Sequence, residues 1–146
     1  IIVDTGHVLN DITVTALNRS SSLFLISTLT LPVIHNTKRL ITFLADLNYP
    51  PEHIKIIINR YKSRHEISMP DFEKALKQKP FFTIPNDYTT ASNAISKGKS
   101  FSGIHNRAKI TRNMRQLAQL VSHEEKKKSF FSRIFKNNIS RSMSCL

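Results

Sequence analysis

The sequence predicts an α/β fold, a mostly parallel sheet with helices on both faces like the three-layer Rossmann type. Two observations support this prediction. Short apolar runs alternate along the chain with segments whose apolar residues recur at helical spacing. The run Ile54–Asn59 is almost entirely β-branched and apolar, which is typical of a strand covered on both faces. Strands and helices that alternate in this way usually build a parallel sheet.

Four strands are predicted from the apolar runs. The first run ends in a carboxylate, Asp4, which we expect at the C-terminal tip of its strand. No initiator methionine or polar lead-in precedes this run, so we expect the chain to begin inside a domain. The predicted strands are Ile1–Thr5, Leu23–Thr30, Ile54–Asn59 and Phe81–Ile84.

Helical patterns lie between and after these strands. Ser68 is predicted to cap one helix, with Asp71 three residues on, and Asp87 can cap the next. The apolar residues that define the five patterns are, in chain order, Leu9, Ile12 and Ala16; Val33, Leu40, Leu44 and Leu47; Phe72 and Leu76; Tyr88, Ala91 and Ile95; and Ile110, Met114, Leu117 and Val121.

Composition favours an anionic partner and a boundary near the C-terminus. The net charge of +12 suits phosphate, nucleic acid or an anionic membrane face. The single cysteine, Cys145, excludes an internal disulfide, which fits a reducing cytosol. From Ser122 onward lysine, serine, arginine and phenylalanine dominate, so residues 1–121 are expected to form one domain and residues 122–146 a basic amphipathic or disordered tail.

Candidate site residues follow the predicted strands. In open α/β sheets, ligands bind beyond the C-terminal ends of the strands. A carboxylate there would suit Mg²⁺ with phosphate oxygens, and an asparagine could pair with the donor and acceptor edge of a base. The alternative is equally open, namely that the two aspartates only cap helices and the Asn-Arg pair is a solvated turn. The candidates are Asp4, Asn59, Arg60, Pro85, Asn86 and Asp87.

Other chemistries find little support in the sequence. No G-x-x-x-x-G-K-[ST] phosphate-binding loop occurs, so we expect no ATP hydrolysis from this chain alone and assign it no catalytic residue. The six histidines are scattered and never form an H-x-x-x-H pair. No G-x-S-x-G motif indicates a serine hydrolase.

Several segments, in this order, resemble the second half of MinD/ParA-type P-loop ATPases. They are Ile1–Gly6 (IIVDTG), Ile56–Arg60 (IIINR) and Ile84–Tyr88 (IPNDY). Glu66–Leu76 and Ala94–Lys99 are similar to the pilus-assembly branch of CpaE/TadZ type. The resemblance covers about residues 1–121 and begins after the Walker A loop. The sequence departs from the branch at Gly6, where many relatives have proline, and at Ser100 and Phe101, which replace a common Pro-Leu pair.

The resemblance implies an ATP and Mg²⁺ site in the parent protein. Asp4 would match the Walker B aspartate on Mg²⁺, Asn59 and Arg60 would flank adenine, and Pro85 with its turn would close over the base. It also implies a homodimer that forms around ATP and positions a type IV (Flp/tad) pilus secretion machine at the cytoplasmic face of the inner membrane. A central strand would be missing from this chain, leaving unpaired backbone edges.

The tail carries a second pattern, a basic amphipathic helix that resembles the membrane-targeting helix of MinD. Five basic residues would contribute roughly 5 kcal/mol at an anionic surface, and each buried phenylalanine about 2 kcal/mol. The alternatives are a disordered tail or phenylalanines that dock on the body. The expected membrane-contact residues are Lys127, Phe130, Phe131, Arg133, Ile134 and Phe135.

Two further functions stay open from the sequence. Lys109, Arg112 and Arg115 line one side of the last helix, which would suit nucleic-acid phosphates, as in the basic patches of ParA relatives. A solvated helix face without a ligand is the favoured interpretation of these three residues. A protein-interaction scaffold that binds no nucleotide is the other alternative.

Overall fold

The computed structural model describes residues 1–6, 10–64 and 66–122. The chain divides into two compact units, Ile1–Asn86 and Asp87–Leu146. The described helices are α1 (Asp11–Arg19), α2 (Leu31–Asp46), α3 (Met69–Leu76), α4 (Tyr88–Ser96), α5 (Phe101–Ile104) and α6 (109–122), with a 3-10 turn at Pro51–His53. The described strands are β1 (Leu23–Ser27), β2 (Ile54–Tyr61) and β3 (Phe82–Pro85).

The three strands form one parallel sheet in the first unit. Their spatial order is β1-β2-β3, so each pair is joined by a crossover that contains a helix. Leu23 pairs with Ile54, and Ile57 pairs with Phe82. The α/β fold class and three of the four predicted strands are confirmed, although the observed strands begin or end up to three residues away from the predicted limits.

The predicted strand at Ile1–Thr5 is wrong. Residues 1–6 have no secondary structure, and the side chains of Ile1, Ile2 and Val3 are exposed. The apolar, β-branched composition of this run is typical of a strand, but a strand forms only beside a hydrogen-bonded neighbour. None of the strands in the described residues pairs with this segment.

One face of the sheet packs on the helices of the first unit. Near the N-terminal ends of the strands, a cluster joins α1, α2, β1 and the start of β2, and a second cluster joins α2, α3 and the middle of β2. Both arise because alternate strand residues point to the same face. The first cluster contains Leu17, Leu25, Leu44, Tyr49 and Ile54, and the second Leu29, Ile34, Ile56, Ile58, Phe72 and Leu76.

A buried hydroxyl pair ties β1 to α2. The Ser27 and Thr37 hydroxyl oxygens lie 3.0 Å apart, and the Thr37 hydroxyl donates to the carbonyl oxygen of Val33 at 2.8 Å. Ser27 therefore donates to Thr37, and neither buried group lacks a partner. This bond fixes the start of α2 beside the C-terminal end of β1.

Helix caps fall where the sequence predicts them. The Ser68 hydroxyl accepts from the backbone N–H of Asp71 and begins α3. The Asp87 carboxylate accepts from the N–H of Thr90 and begins α4. An unforeseen cap, Asn10, begins α1 by accepting from the N–H of Thr13. Each cap satisfies a donor that the helix itself leaves unpaired.

The apolar periodicity misplaces the buried face of two helices. Ile12 on α1 is 80% exposed, because the helix that Asn10 caps turns Thr13 and Leu17 inward instead. On α4, Ala94 is buried, whereas Tyr88 and Ile95 are exposed. A short helix has only two or three apolar residues, and these define its buried face poorly. The buried face can therefore differ from the predicted one by the turn of a single residue around the helix.

The described part of the second unit, residues 87–122, is helical. Ser100 caps α5, and the buried Thr111 hydroxyl on α6 donates to the carbonyl oxygen of His105 at 2.7 Å. Ile110 is buried as predicted, and Lys109, Arg112 and Arg115 are exposed on another side of α6. No helix among the described residues is long and apolar enough to cross a bilayer. The predicted boundary at residue 122 stays a prediction.

Candidate functional site

The C-terminal edge of the sheet in the first unit gathers most of the predicted site residues. Because the three strands are parallel, their C-terminal ends lie at the same edge. Three segments follow or close those ends. They are residues 28–30 after β1, residues 59–61 at the end of β2, and residues 85–86 at the end of β3.

Asn59 and Arg60 form a β-bulge rather than a turn after the strand. Ile58 pairs with Thr83, and Tyr61 pairs with Pro85. Two residues of β2 therefore stand opposite a single residue of β3. Arg60 adopts a left-handed backbone with φ of 54°. The prediction that this pair leaves the strand is thus corrected, because β2 resumes its pairing at Tyr61.

A local hydrogen bond orients the carboxamide of Asn59. Its Oδ1 atom accepts from the backbone N–H of Arg60 at 2.8 Å. This bond uses one lone pair of the oxygen and neither of the two N–H donors of the carboxamide. Asn59 is half-buried and Arg60 is exposed, so an amide and a guanidinium stand side by side at the edge.

Pro85 and Asn86 lie beside the bulge. The backbone N–H of Asn86 donates to the carbonyl oxygen of Tyr61 at 2.8 Å, which extends the β2–β3 ladder by one bond. Pro85 can stand in the last position of the strand although it has no N–H to donate. Four predicted site residues, Asn59, Arg60, Pro85 and Asn86, are therefore brought together.

Asp87 has the helix-cap role that the sequence left open as an alternative. One of its carboxylate oxygens accepts from the N–H of Thr90 at 3.1 Å, at the first turn of α4. Asp87 is the first residue of the second unit. Its carboxylate is oriented by that helix rather than by the sheet.

Asp4 is held differently from the other candidates. Its Oδ1 atom accepts from the backbone N–H of Gly6 at 3.3 Å, and the residue is exposed. Gly6 has φ of 65°, a conformation that glycine adopts at little cost. The strand register that places Asn59 and Pro85 does not include Asp4, so its expected position at a strand tip is also corrected.

The loop after β1 adds two hydroxyl groups that the sequence prediction did not single out. Thr28 and Thr30 were assigned to a strand, but β1 ends at Ser27. Their hydroxyl oxygens lie 3.4 Å apart, and Thr30 is exposed. The sequence does indicate that the strand ends here, because the polar Ser-Thr pair interrupts the apolar run and Pro32 predicts a helix start shortly afterwards.

These groups fit a nucleobase better than a metal ion. A carboxamide offers both a donor and an acceptor, the pattern that a base edge presents. A guanidinium can stack on a ring or pair with an anion. No group of three or more His, Cys, Asp or Glu side chains that could hold a metal occurs in the described ranges. Mg²⁺ would therefore need phosphate oxygens as further ligands.

Comparison with known proteins gives a clear result at the level of fold. A ParA family ATPase from Chlorobium tepidum TLS superposes with a TM-score of 0.71 and 19% identity, covering 75% of this chain and 46% of the ATPase. The MinD cell division protein of Aquifex aeolicus gives a TM-score of 0.63 and 16% identity, covering 74% and 46%. This chain has the fold of ParA and MinD.

The chain spans about half the length of the ParA and MinD structures that it matches. At these identities the ParA/MinD likeness is one of fold, and the edge residues above supply the chemistry of the site. No protein-family model matches the sequence, and no curated protein matches it.

Proposed function

We propose that this chain is the base-binding part of a MinD/ParA-like ATP-binding protein. Asn59 and Arg60 flank the adenine, and Pro85 with Asn86 closes over it. The observation that supports this proposal is the β-bulge beside the end of β3, which sets an amide, a guanidinium and a proline turn along one sheet edge. The ParA/MinD-like fold agrees with it.

The chemistry of adenine suits the edge. Its Watson–Crick face presents a donor amino group next to a ring-nitrogen acceptor, and the carboxamide of Asn59 can complement both. The bond from the Arg60 N–H orients the carboxamide before any ligand arrives, which lowers the ordering cost of binding. Guanine presents a different pattern of donors and acceptors, so the proposal includes a preference for adenine.

Phosphate and Mg²⁺ binding are assigned to the parent protein. Asp4 contributes there as a Mg²⁺ ligand through bound water, and Asp87 supports the base-side turn as the cap of α4. The exposed Ile1, Ile2 and Val3, together with Ile26 at 58% exposure on the edge strand β1, support an additional strand from further chain. The parent protein acts as a homodimer around ATP.

The cellular role that we propose is the positioning of Flp/tad pilus assembly and secretion machinery at the inner membrane. It rests on the order of the CpaE/TadZ-like segments, one of which forms the capped helix α3. The tail residues Lys127, Phe130, Phe131, Arg133, Ile134 and Phe135, which lie outside the described residues, provide the membrane contact in this proposal.

Nuclear magnetic resonance titration tests the proposal on the chain itself. We expect AMP to shift the backbone amides of Asn59, Arg60 and Asn86 and the side-chain amide of Asn59. Because the base contributes most of the contact, the Kd should be on the order of 1 mM, near 4 kcal/mol of binding. GMP should give clearly smaller shifts at the same concentration.

Two Asn→Asp variants provide a matched comparison. Asn59→Asp keeps an oxygen that accepts from the Arg60 N–H but removes the amide donors, so it should abolish the AMP shifts. Asn48→Asp makes the same change on the loop after α2, away from the sheet edge, and should leave the AMP shifts intact. Equal shifts in both variants, or none with AMP, would favour a scaffold that binds no nucleotide.

A second candidate function, nucleic-acid binding, is favoured by one observation. Lys109, Arg112 and Arg115 are exposed on one side of α6. Arg115 also donates to the side-chain oxygen of Asn106, which helps to hold its guanidinium in place. Such a stripe can contact phosphates, and its binding would weaken steeply as salt rises.

A further inference from the structure

The helix α4 presents two large apolar side chains to solvent. Tyr88 is 75% exposed and Ile95 is 80% exposed, although both belong to a regular helix. They lie seven residues apart, which is close to two helical turns, so they share one face. No residue of Tyr88–Ser96 carries a charge, so the face is unusually apolar for exposed helix surface.

The arrangement of this face is nearly symmetric about its middle. Ala91 and Ser92 lie halfway between Tyr88 and Ile95, each about 5 Å along the axis from the nearer large residue. Small side chains at that point allow another helix to approach closely, with the large residues projecting on either side. A second α4 that runs antiparallel would set the Tyr88 of each copy beside the Ile95 of the other.

The charges at the two ends of α4 favour that same orientation. Asp87 stands at the N-terminal end, and the exposed Lys97 and Lys99 stand just beyond the C-terminal end. Asp87 is also the single acidic residue in the sequence between positions 87 and 122. An antiparallel pair brings the carboxylate of each copy toward the lysines of the other, whereas a parallel pair would place like charges together.

We propose that α4 is a contact surface for a second copy of this chain. Two α4 helices pack antiparallel about a two-fold axis near Ala91 and Ser92, with Tyr88 against Ile95 of the other copy at each end. This inference goes beyond the proposed function, because the contact needs no nucleotide and uses no residue of the sheet edge.

The size of the helix sets the strength of the contact. A helix of nine residues is about 14 Å long, so a pair buries well under the roughly 1,000 Å² of a stable interface. The dimer is therefore weak, with a Kd in the range of about 10 μM to 1 mM. It becomes effective where another interface already holds two copies near each other.

Disulfide trapping tests the geometry. In a Cys145→Ser background, Ser92→Cys places a thiol near the proposed axis, and mild oxidation should give a disulfide-linked dimer. Asn93→Cys is the matched control, because the next residue points about 100° further around the helix and should remain monomeric. Equal trapping of both variants, or no trapping of Ser92→Cys, would overturn the proposal.

Sedimentation of the nucleotide-free chain tests the energetics. Ile95→Glu places a carboxylate in both halves of the contact and should weaken the dimer by about 100-fold or more. Leu120→Glu changes an apolar residue that is 44% exposed on α6 and should leave the dimer unchanged. A dimer that survives Ile95→Glu would show that another segment joins the copies. That outcome leaves adenine binding untouched, so the two proposals fail separately.

Discussion

Arg60 combines a strained backbone with an exposed cation. A left-handed conformation costs a non-glycine residue roughly 1–2 kcal/mol, and glycine avoids that cost but loses about 0.5–1 kcal/mol of chain entropy on folding. We therefore predict that Arg60→Gly raises the free energy of unfolding by up to about 1 kcal/mol while it reduces the AMP-induced shifts. Urea denaturation and the same titration measure the two effects.

The control for this prediction is a second residue with the same backbone. Lys77, which ends α3, has φ of 52° and lies away from the sheet edge. Lys77→Gly should stabilise the chain to a similar extent and leave the AMP shifts unchanged. If both variants weaken AMP binding equally, the guanidinium of Arg60 has no part in it.

The geometry of single residues at the site was only partly predictable. Asn59 and Arg60 are candidates because they stand at the end of a run of isoleucines, and the structure places them at the sheet edge, while their contact with a ligand stays a prediction. The bulge could not be predicted from the sequence, because the residue with the left-handed backbone is an arginine and not the glycine that usually indicates such a conformation. The backbone conformation of Arg60 depends on how β2 pairs with β3, and this pairing involves residues that are distant in the sequence.

At the scale of secondary structure, the helix-capping role of Asp87 can be separated from a direct contact with the ligand. Serine caps a helix about as well as aspartate, whereas alanine in its place costs about 0.5–2 kcal/mol. We predict that Asp87→Ala loses stability in that range while Asp87→Ser stays within about 0.5 kcal/mol of the original chain. Thermal or urea unfolding, followed by the helical signal, measures both.

Adenine binding of the same two variants completes the test. If Asp87 supports the site through α4 alone, Asp87→Ser should bind AMP like the original chain. Loss of AMP binding in a fully stable Asp87→Ser variant would instead assign the carboxylate a direct contact with the ligand.

Caps and strands were predictable to different degrees for a physical reason. Ser68 and Asp87 act within four residues of chain, so their identity nearly fixes a helix start. The run Ile1–Thr5 has the composition of a strand, but it can form one only beside a strand with which it exchanges hydrogen bonds. No such partner strand occurs among the described residues. The buried faces of α1 and α4 depended on which residue met the rest of the fold, and the apolar pattern alone did not determine it.

For the whole molecule, positive charge concentrates toward the C-terminus of the sequence. The tail that carries Phe130, Phe131 and Phe135 among basic residues lies outside the described residues, and its membrane contact is a proposal. We predict that Phe131→Glu releases the chain from anionic liposomes, because it replaces a group that inserts by one that the lipid headgroups repel. Cosedimentation with vesicles that contain phosphatidylserine measures the bound fraction.

Charge alone must be separated from insertion in that experiment. Ser129→Glu adds the same carboxylate to the same segment but removes no phenylalanine, so it should retain most of the binding. Liposome binding should also persist in part at high salt, whereas DNA binding through α6 would decline steeply. If Ser129→Glu and Phe131→Glu behave alike, or if binding vanishes with salt, the attraction is purely electrostatic.

The bulge in β2 also determines which face of the sheet Tyr61 occupies. Tyr61 packs on the same cluster as Ile56 and Ile58, which is possible because the extra residue shifts the alternation of side chains by one position. Regular pairing of the same residues would turn the Tyr61 ring to the opposite face of the sheet, whereas a strand one residue shorter at 59 or 60 would alternate regularly and keep the ring on its cluster. The extra residue therefore serves the edge of the sheet and not its core, because the contact of Tyr61 with the cluster is the same without it.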